Sequence, residues 1–194
     1  MDFCHLFRKK VIMEIMRVVV AGAVGAGKST LIRTISEIEV VDTDRDATDE
    51  TALIKQKTTV AFDFGKVQFG SEMALHLYGT PGQERFDFIW DMLIRKAHAY
   101  ILLVSAHRPN EFHYARQVMS YMNQRAQIPM IIALTHTDHP EAWSEENVAI
   151  ALGYVDDETR PPIISVNPNQ TASVAQAVIW LVQHYMHSVN PIAV

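Results

Sequence analysis

Gly22-Ala23-Val24-Gly25-Ala26-Gly27-Lys28-Ser29-Thr30 stands directly after an apolar run and directly before a helical pattern. It fits Gly-x-x-x-x-Gly-Lys-Ser in the strand-to-helix context that gives this spacing its meaning. Glycines let the backbone wrap so tightly that successive N–H groups point at one phosphate chain, and the following helix adds the positive end of its dipole. Lys28 then reaches the β- and γ-phosphates as a point charge, and the Ser29 hydroxyl is placed to ligate Mg²⁺. On this reading Gly22, Gly25, Ala26, Gly27, Lys28, Ser29 and Thr30 form a nucleotide-phosphate cradle. The stretch also decides the fold, because a phosphate loop needs a buried strand on one side and a packed helix on the other.

Outward from the loop, apolar runs alternate with helical patterns over nearly the whole chain, the signature of an α/β sheet covered by helices on both faces. Strands are expected over residues 16–21, 59–64, 72–78, 99–105, 129–134 and 162–166, and helices over 28–38, 84–96, 110–125, 145–152 and 171–187. The second and third strands are joined by a hairpin-length loop, assigned to the stretch holding Gly65 and Gly70, so they should be antiparallel. The other strands need helical crossovers and should be parallel. The expectation is one domain over residues 16–190 with a six-stranded, mostly parallel sheet and one antiparallel strand. Residues 1–15 read as an N-terminal extension.

Composition narrows the partners. The 194 residues are 48% hydrophobic and 20% charged, which excludes a disordered chain. Seventeen Lys and Arg against 22 Asp and Glu leave a net charge of -5 and no electrostatic footprint for nucleic acid. The single cysteine, Cys4, rules out an internal disulfide framework and suits a reducing cytoplasm. The apolar runs are too short to span a bilayer, and neither end carries a lipidation pattern, so no direct membrane anchor is expected.

A phosphate loop alone does not choose among kinases, ATPases and GTPases. The segment Leu77-Tyr78-Gly79-Thr80-Pro81-Gly82-Gln83-Glu84-Arg85-Phe86 does, because it closely resembles the Gly-Gln-Glu-Arg-Phe switch of Ras-like small GTPases. That resemblance implies a GTP-binding switch with Mg²⁺ as cofactor and GTP and GDP as ligands. It also implies that the Gly82 N–H meets the γ-phosphate and that Gln83 orients the attacking water. Thr59, within Thr58-Thr59-Val60-Ala61-Phe62-Asp63-Phe64-Gly65, stands where such proteins carry the threonine that closes on Mg²⁺ and γ-phosphate. The catalytic set is thus Gln83, Lys28 and Thr59. Phe62-Asp63-Phe64 and His76-Leu77-Tyr78-x-x-Pro81-Gly82-Gln83 further resemble the bacterial small GTPases of gliding motility and polarity, over residues 16 to about 187. In that group the regulator is a Roadblock-type dimer, which makes a Roadblock/LC7-type protein the expected partner.

Five departures matter. The Asp that opens the switch in Ras-like proteins, where it holds a Mg²⁺-bound water, is Gly79 here; Asp63, on the neighbouring strand, is the candidate replacement, which makes the metal set Ser29, Thr59 and Asp63. The base-reading motif is Thr135-His136-Thr137-Asp138 instead of Asn-Lys-x-Asp. Asp138 keeps the carboxylate that accepts from the guanine ring N–H and amine, and Thr135 can replace part of the Asn tether to the phosphate loop. After the last strand, Ser165-Val166-Asn167 takes the place of a Ser-Ala-Lys loop, with the Val166 N–H as base donor. Val24 replaces a glycine common in the loop, and Thr58 stands where the gliding-motility relatives place an arginine, leaving Arg45 as the only arginine in that preceding segment. Slow, partner-regulated hydrolysis is expected. The competing readings are a binding module that has lost useful hydrolysis and, less favoured, a P-loop ATPase or kinase. Nine histidines invite a metal reading, but they lack paired carboxylates and are expected to be surface or core residues.

Overall fold

The computed structural model describes residues 14–42, 62–70, 73–81, 87–156 and 158–189. Thr58, Thr59, Gly82, Gln83, Arg45 and most of the N-terminal extension lie outside the described residues. The elements run β1 (Glu14–Gly22), α1 (Lys28–Ile35), β2 (Val41–Asp42), β3 (Asp63–Phe69), β4 (Met73–Gly79), α2 (Asp87–Ile94), β5 (Ala99–Ser105), α3 (Phe112–Arg125), β6 (Met130–Thr135), α4 (Glu145–Leu152), β7 (Ile163–Ser165) and α5 (Thr171–Val189). They build one sheet in the order β2-β3-β4-β1-β5-β6-β7. Each of the six expected strands overlaps a described one, β3 meeting the expected 59–64 only at Asp63 and Phe64 because residues 59–61 lie outside the described residues, and the two-residue β2 joins them at one edge. Among the described strands β3 alone runs against the rest, antiparallel to both β2 and β4.

Alternation along the central strands sorts the core onto two faces, as a strand's period of two requires. Val19, Ala21, Tyr100, Leu102, Val104, Ile132 and Leu134 face α2, α3 and α4. Val18, Val20, Ile101, Leu103, Ile131 and Ala133 face α1 and α5, where Leu31, Ile32, Val178 and Leu181 meet them. Each fully buried Leu or Ile contributes about 1.5–3 kcal/mol, which anchors β1 and β5, the two strands from which the phosphate loop and its neighbour emerge. Among the described residues no helix is long and apolar enough to cross a membrane.

Two boundaries differ from expectation for physical reasons. β3 continues to Phe69, so Gly65 lies in the ladder opposite Leu77, and the turn starts at Gly70 (φ 69°). A side chain at 65 would collide with Ile32 Cγ2 at 2.6 Å, so this glycine lets α1 lie close on the sheet. α1 stops at Ile35 because Ser36 is extended and its hydroxyl accepts from the N–H groups of Ile38 and Lys66 at 3.3 and 3.2 Å. Local bonds of this kind compete with a continuing helix.

Candidate functional site

The loop between β1 and α1 closes on its own lysine. Lys28 Nζ donates to the carbonyls of Gly22 and Ala23 at 2.9 and 2.7 Å, and the residue is buried. Burial pushes the ammonium down to about 8, although the Asp63 and Glu111 carboxylates favour its charged form. α1 opens at Gly27, in a left-handed conformation (φ 103°), with no side-chain cap. The unpaired donors of the first helical turn therefore stay available to an anion. A side chain at position 27 would also meet Pro168 Cγ at 2.9 Å, so the loop after β7 packs directly on the phosphate loop. Thr34 Oγ1 strengthens that contact by donating to the Pro168 carbonyl at 2.6 Å.

Asp63 opens β3 opposite Gly79, the last residue of β4. A Cβ at position 79 would lie 3.2 Å from Asp63 Cβ and 3.3 Å from Asp63 Oδ2, so this carboxylate occupies the space a side chain at 79 would enter. Ser29 Oγ donates to Asp63 Oδ2 at 2.5 Å, and Arg33 Nη2 lies 4.0 Å from Oδ1. A hydroxyl and a carboxylate oxygen at the mouth of a phosphate loop are hard oxygen donors. They fit Mg²⁺, which binds through one or two protein oxygens, substrate phosphates and water. Among the described residues no three His, Cys, Asp or Glu side chains converge as a metal cage.

At the other end of the loop, Thr135 Oγ1 donates to the buried Ala26 carbonyl at 3.1 Å, so the hydroxyl does tether the two segments. His136 takes the left-handed conformation (φ 56°), with Nδ1 3.1 Å from Thr135 Oγ1. Its ring stacks against His107 at 4.7 Å between centroids, and His107 lies 4.6 Å from His139. Burial, then the two neighbouring imidazoles, hold His107 below the ordinary histidine range. Asp138 is exposed in the same turn.

Val166 differs from expectation. Its N–H donates to the Leu134 carbonyl at 2.7 Å and its side chain is buried, so the sheet has already taken the donor meant for a base. The next N–H, of Asn167, is taken by Ser173 Oγ at 2.9 Å. This loop contributes packing through Pro168 instead.

Sequence reasoning missed Trp90 and Arg108. Trp90 Nε1 donates to the Pro81 carbonyl at 3.0 Å, fixing the residue that precedes Gly82. The Arg108 guanidinium reaches the Val24 carbonyl at 3.5 Å across 84 residues of sequence, and no local pattern encodes such a contact.

The chain is 24% identical over 173 residues to the Ras-related protein RabC of Dictyostelium discoideum, covering 86% of this chain and 82% of RabC. It is 26% identical over 92 residues to an uncharacterised protein of Methanocaldococcus jannaschii, covering 47% of this chain and 51% of that protein. The fold is similar to that of the small GTPase Arl6 (BBS3) from Trypanosoma brucei, solved with the nucleotide analogue GppNp. The TM-score is 0.67 at 15% identity, over 89% of this chain and 98% of that one. The model of the Ras of Complex (Roc) domain of DAPkinase matches residues 17–138. Because that match runs from β1 to the turn after β6, it takes in both the phosphate loop and Asp138, and the chain belongs to the Roc family of Ras-like small GTPase domains.

Proposed function

We propose that this protein is a GTP-binding switch that hydrolyses GTP slowly with Mg²⁺ and signals through a protein partner. The observation that carries the reading is the meeting of Ser29 Oγ and Asp63 Oδ2 at the phosphate loop. That contact supplies from β3 the carboxylate that Gly79 lacks. Ser29 and Asp63 would hold the metal, with Thr59 as its third protein ligand, and bound Mg²⁺ would neutralise charge on the β- and γ-phosphates. Gly22, Gly25, Ala26, Gly27 and Thr30 cradle the phosphates, Lys28 supplies the point charge, Gly82 meets the γ-phosphate, and Gln83 orients the attacking water. Thr135 braces the loop from the base side, and Asp138 reads guanine.

Slow turnover follows from the sequence. Val24 is 57% exposed, and on this reading its branched side chain would crowd an arginine inserted over the γ-phosphate. The functional unit is residues 16–190, working in the cytoplasm. A Roadblock/LC7-type dimer is the proposed regulator, on the resemblance to the bacterial gliding-motility and polarity group, and it acts by repositioning Gln83 or by holding the GTP form.

The deciding experiment identifies the copurifying nucleotide and then competes GTP against ATP. It continues with single-turnover hydrolysis with and without a Roadblock-type dimer. Equal affinity for the two nucleotides would sink the guanine assignment. Fast intrinsic turnover that survives Gln83→Leu would overturn the placement of the water. Val24→Gly should raise sensitivity to any partner that inserts an arginine.

A further inference from the structure

A charged arrangement between the phosphate loop and α3 plays no part in the function proposed above. Arg108 leaves β5 in a tight turn, with its N–H on the Ser105 carbonyl at 3.0 Å, and precedes the short 3-10 turn Pro109–Glu111. Its side chain runs back to the phosphate loop. Nη1 lies 3.5 Å from the Val24 carbonyl, at the limit of a hydrogen bond, and 3.1 Å from where a side-chain carbon on Gly25 would stand. Gly25, at φ 79°, leaves open the space that the guanidinium fills. Glu111 Oε1 holds the same Nη1 at 3.3 Å, while Glu111 Oε2 is buried with no hydrogen-bond partner among the described residues.

These contacts are long, and they use one of the three guanidinium nitrogens. A guanidinium carries five N–H donors in a planar fork that matches phosphate oxygens two at a time. Arg108 Nε and Nη2 make no hydrogen bond among the described residues, and the side chain is 41% exposed. A long, single-contact ion pair such as Arg108–Glu111, half-exposed on the arginine side, contributes little to stability by itself. A polyphosphate bound by the loop N–H groups would bring several negative charges against the backbone of Gly25, directly beside this cation.

We propose that Arg108 is a phosphate-binding residue supplied in cis: seated over Gly25, its guanidinium leaves Glu111 and turns onto the phosphate chain of a bound nucleoside di- or triphosphate and slows its release. This rests on the phosphate loop being a nucleotide site, but it does not depend on the base being guanine.

The test is the dissociation rate of fluorescently labelled GDP and GTP from the full chain in Mg²⁺. Arg108→Ala should release both about tenfold faster at low salt, and Arg108→Lys, which keeps the charge but not the planar fork, should recover only part of the loss. The ratio of variant to wild type should fall toward one as ionic strength rises from about 0.05 to 0.5 M and the Debye length shrinks. Glu111→Gln removes the competing carboxylate and should slow release. Unchanged dissociation in Arg108→Ala would overturn the proposal. So would a ratio indifferent to salt, which would mark a tether for the Val24 carbonyl only, or faster release from Glu111→Gln. If the chain prefers ATP, labelled ADP and ATP give the same comparison, and the guanine reading fails separately from this one.

Discussion

Lys28 is held inside its own loop by two carbonyls, and burial holds its pKa at about 8 instead of 10.5. The unfolded chain therefore binds more protons than the fold between those two values, so stability attributable to this residue rises with pH across that window. Below pH 8 the buried charge costs the nucleotide-free fold. Lys28→Met should remove that pH dependence, its stability relative to the native chain falling as pH rises from about 8 to 10.5, while the Gly22 and Ala23 carbonyls lose their donor. Nucleotide-dependent stabilisation should be lost in the same variant. Denaturant unfolding of both proteins from pH 7 to 10.5 measures each effect. Asp63 and Gly79 make a second test at this scale, because they face one another across β3 and β4. Asp63→Gly should abolish the Mg²⁺ dependence of nucleotide affinity. Gly79→Asp alone sets two carboxylates opposite each other and should destabilise the fold. The double variant, which moves the carboxylate one strand over, should recover the Mg²⁺ dependence that Asp63→Gly loses, with Ile32 Cδ1, 2.9 Å from a Cβ at position 79, shifting to admit it. Additive losses in that cycle would refute the exchange.

At the scale of elements, the loop is held by segments distant in sequence. Thr135, at the end of β6, donates to the buried Ala26 carbonyl. Thr135→Val should cost about 1–3 kcal/mol, since it leaves that carbonyl unpaired, and nucleotide release should quicken in step. α1 rests on β3 through Gly65, where a Cβ would meet Ile32 Cγ2 at 2.6 Å and Ser36 at 3.2 Å. Gly65→Ala should destabilise by about 1–3 kcal/mol through forced repacking, a loss that thermal unfolding reads. Both α1 positions at the metal-side cluster, Ser29 and Arg33, depend on how closely that helix lies to the sheet.

Across the whole molecule, a ligand that binds only the fold stabilises it by mass action, about 2.7 kcal/mol at a hundredfold excess over Kd. GTP with Mg²⁺ should therefore raise the unfolding temperature, and hydrogen exchange between the GTP and GDP states should differ most around Thr59 and Gly82-Gln83. Change confined to α5 would refute the switch assignment. The sequence by itself determined the parts of this protein that are local. Nine consecutive residues spelled the phosphate loop. A continuous apolar run placed β5 at residues 99–105, and a helical pattern placed α4 at 145–152. Thr135 was legible too, because its position at the end of β6 fixes what it can touch. Only the tertiary structure decided the relations set by register between distant strands. It put Asp63 opposite Gly79 and onto Ser29, gave the Val166 N–H to Leu134, and laid Arg108 across Gly25. A slip of one residue in strand pairing turns every side chain to the other face, and no local pattern records which register wins, because packing of the whole sheet against α1 and α5 selects it.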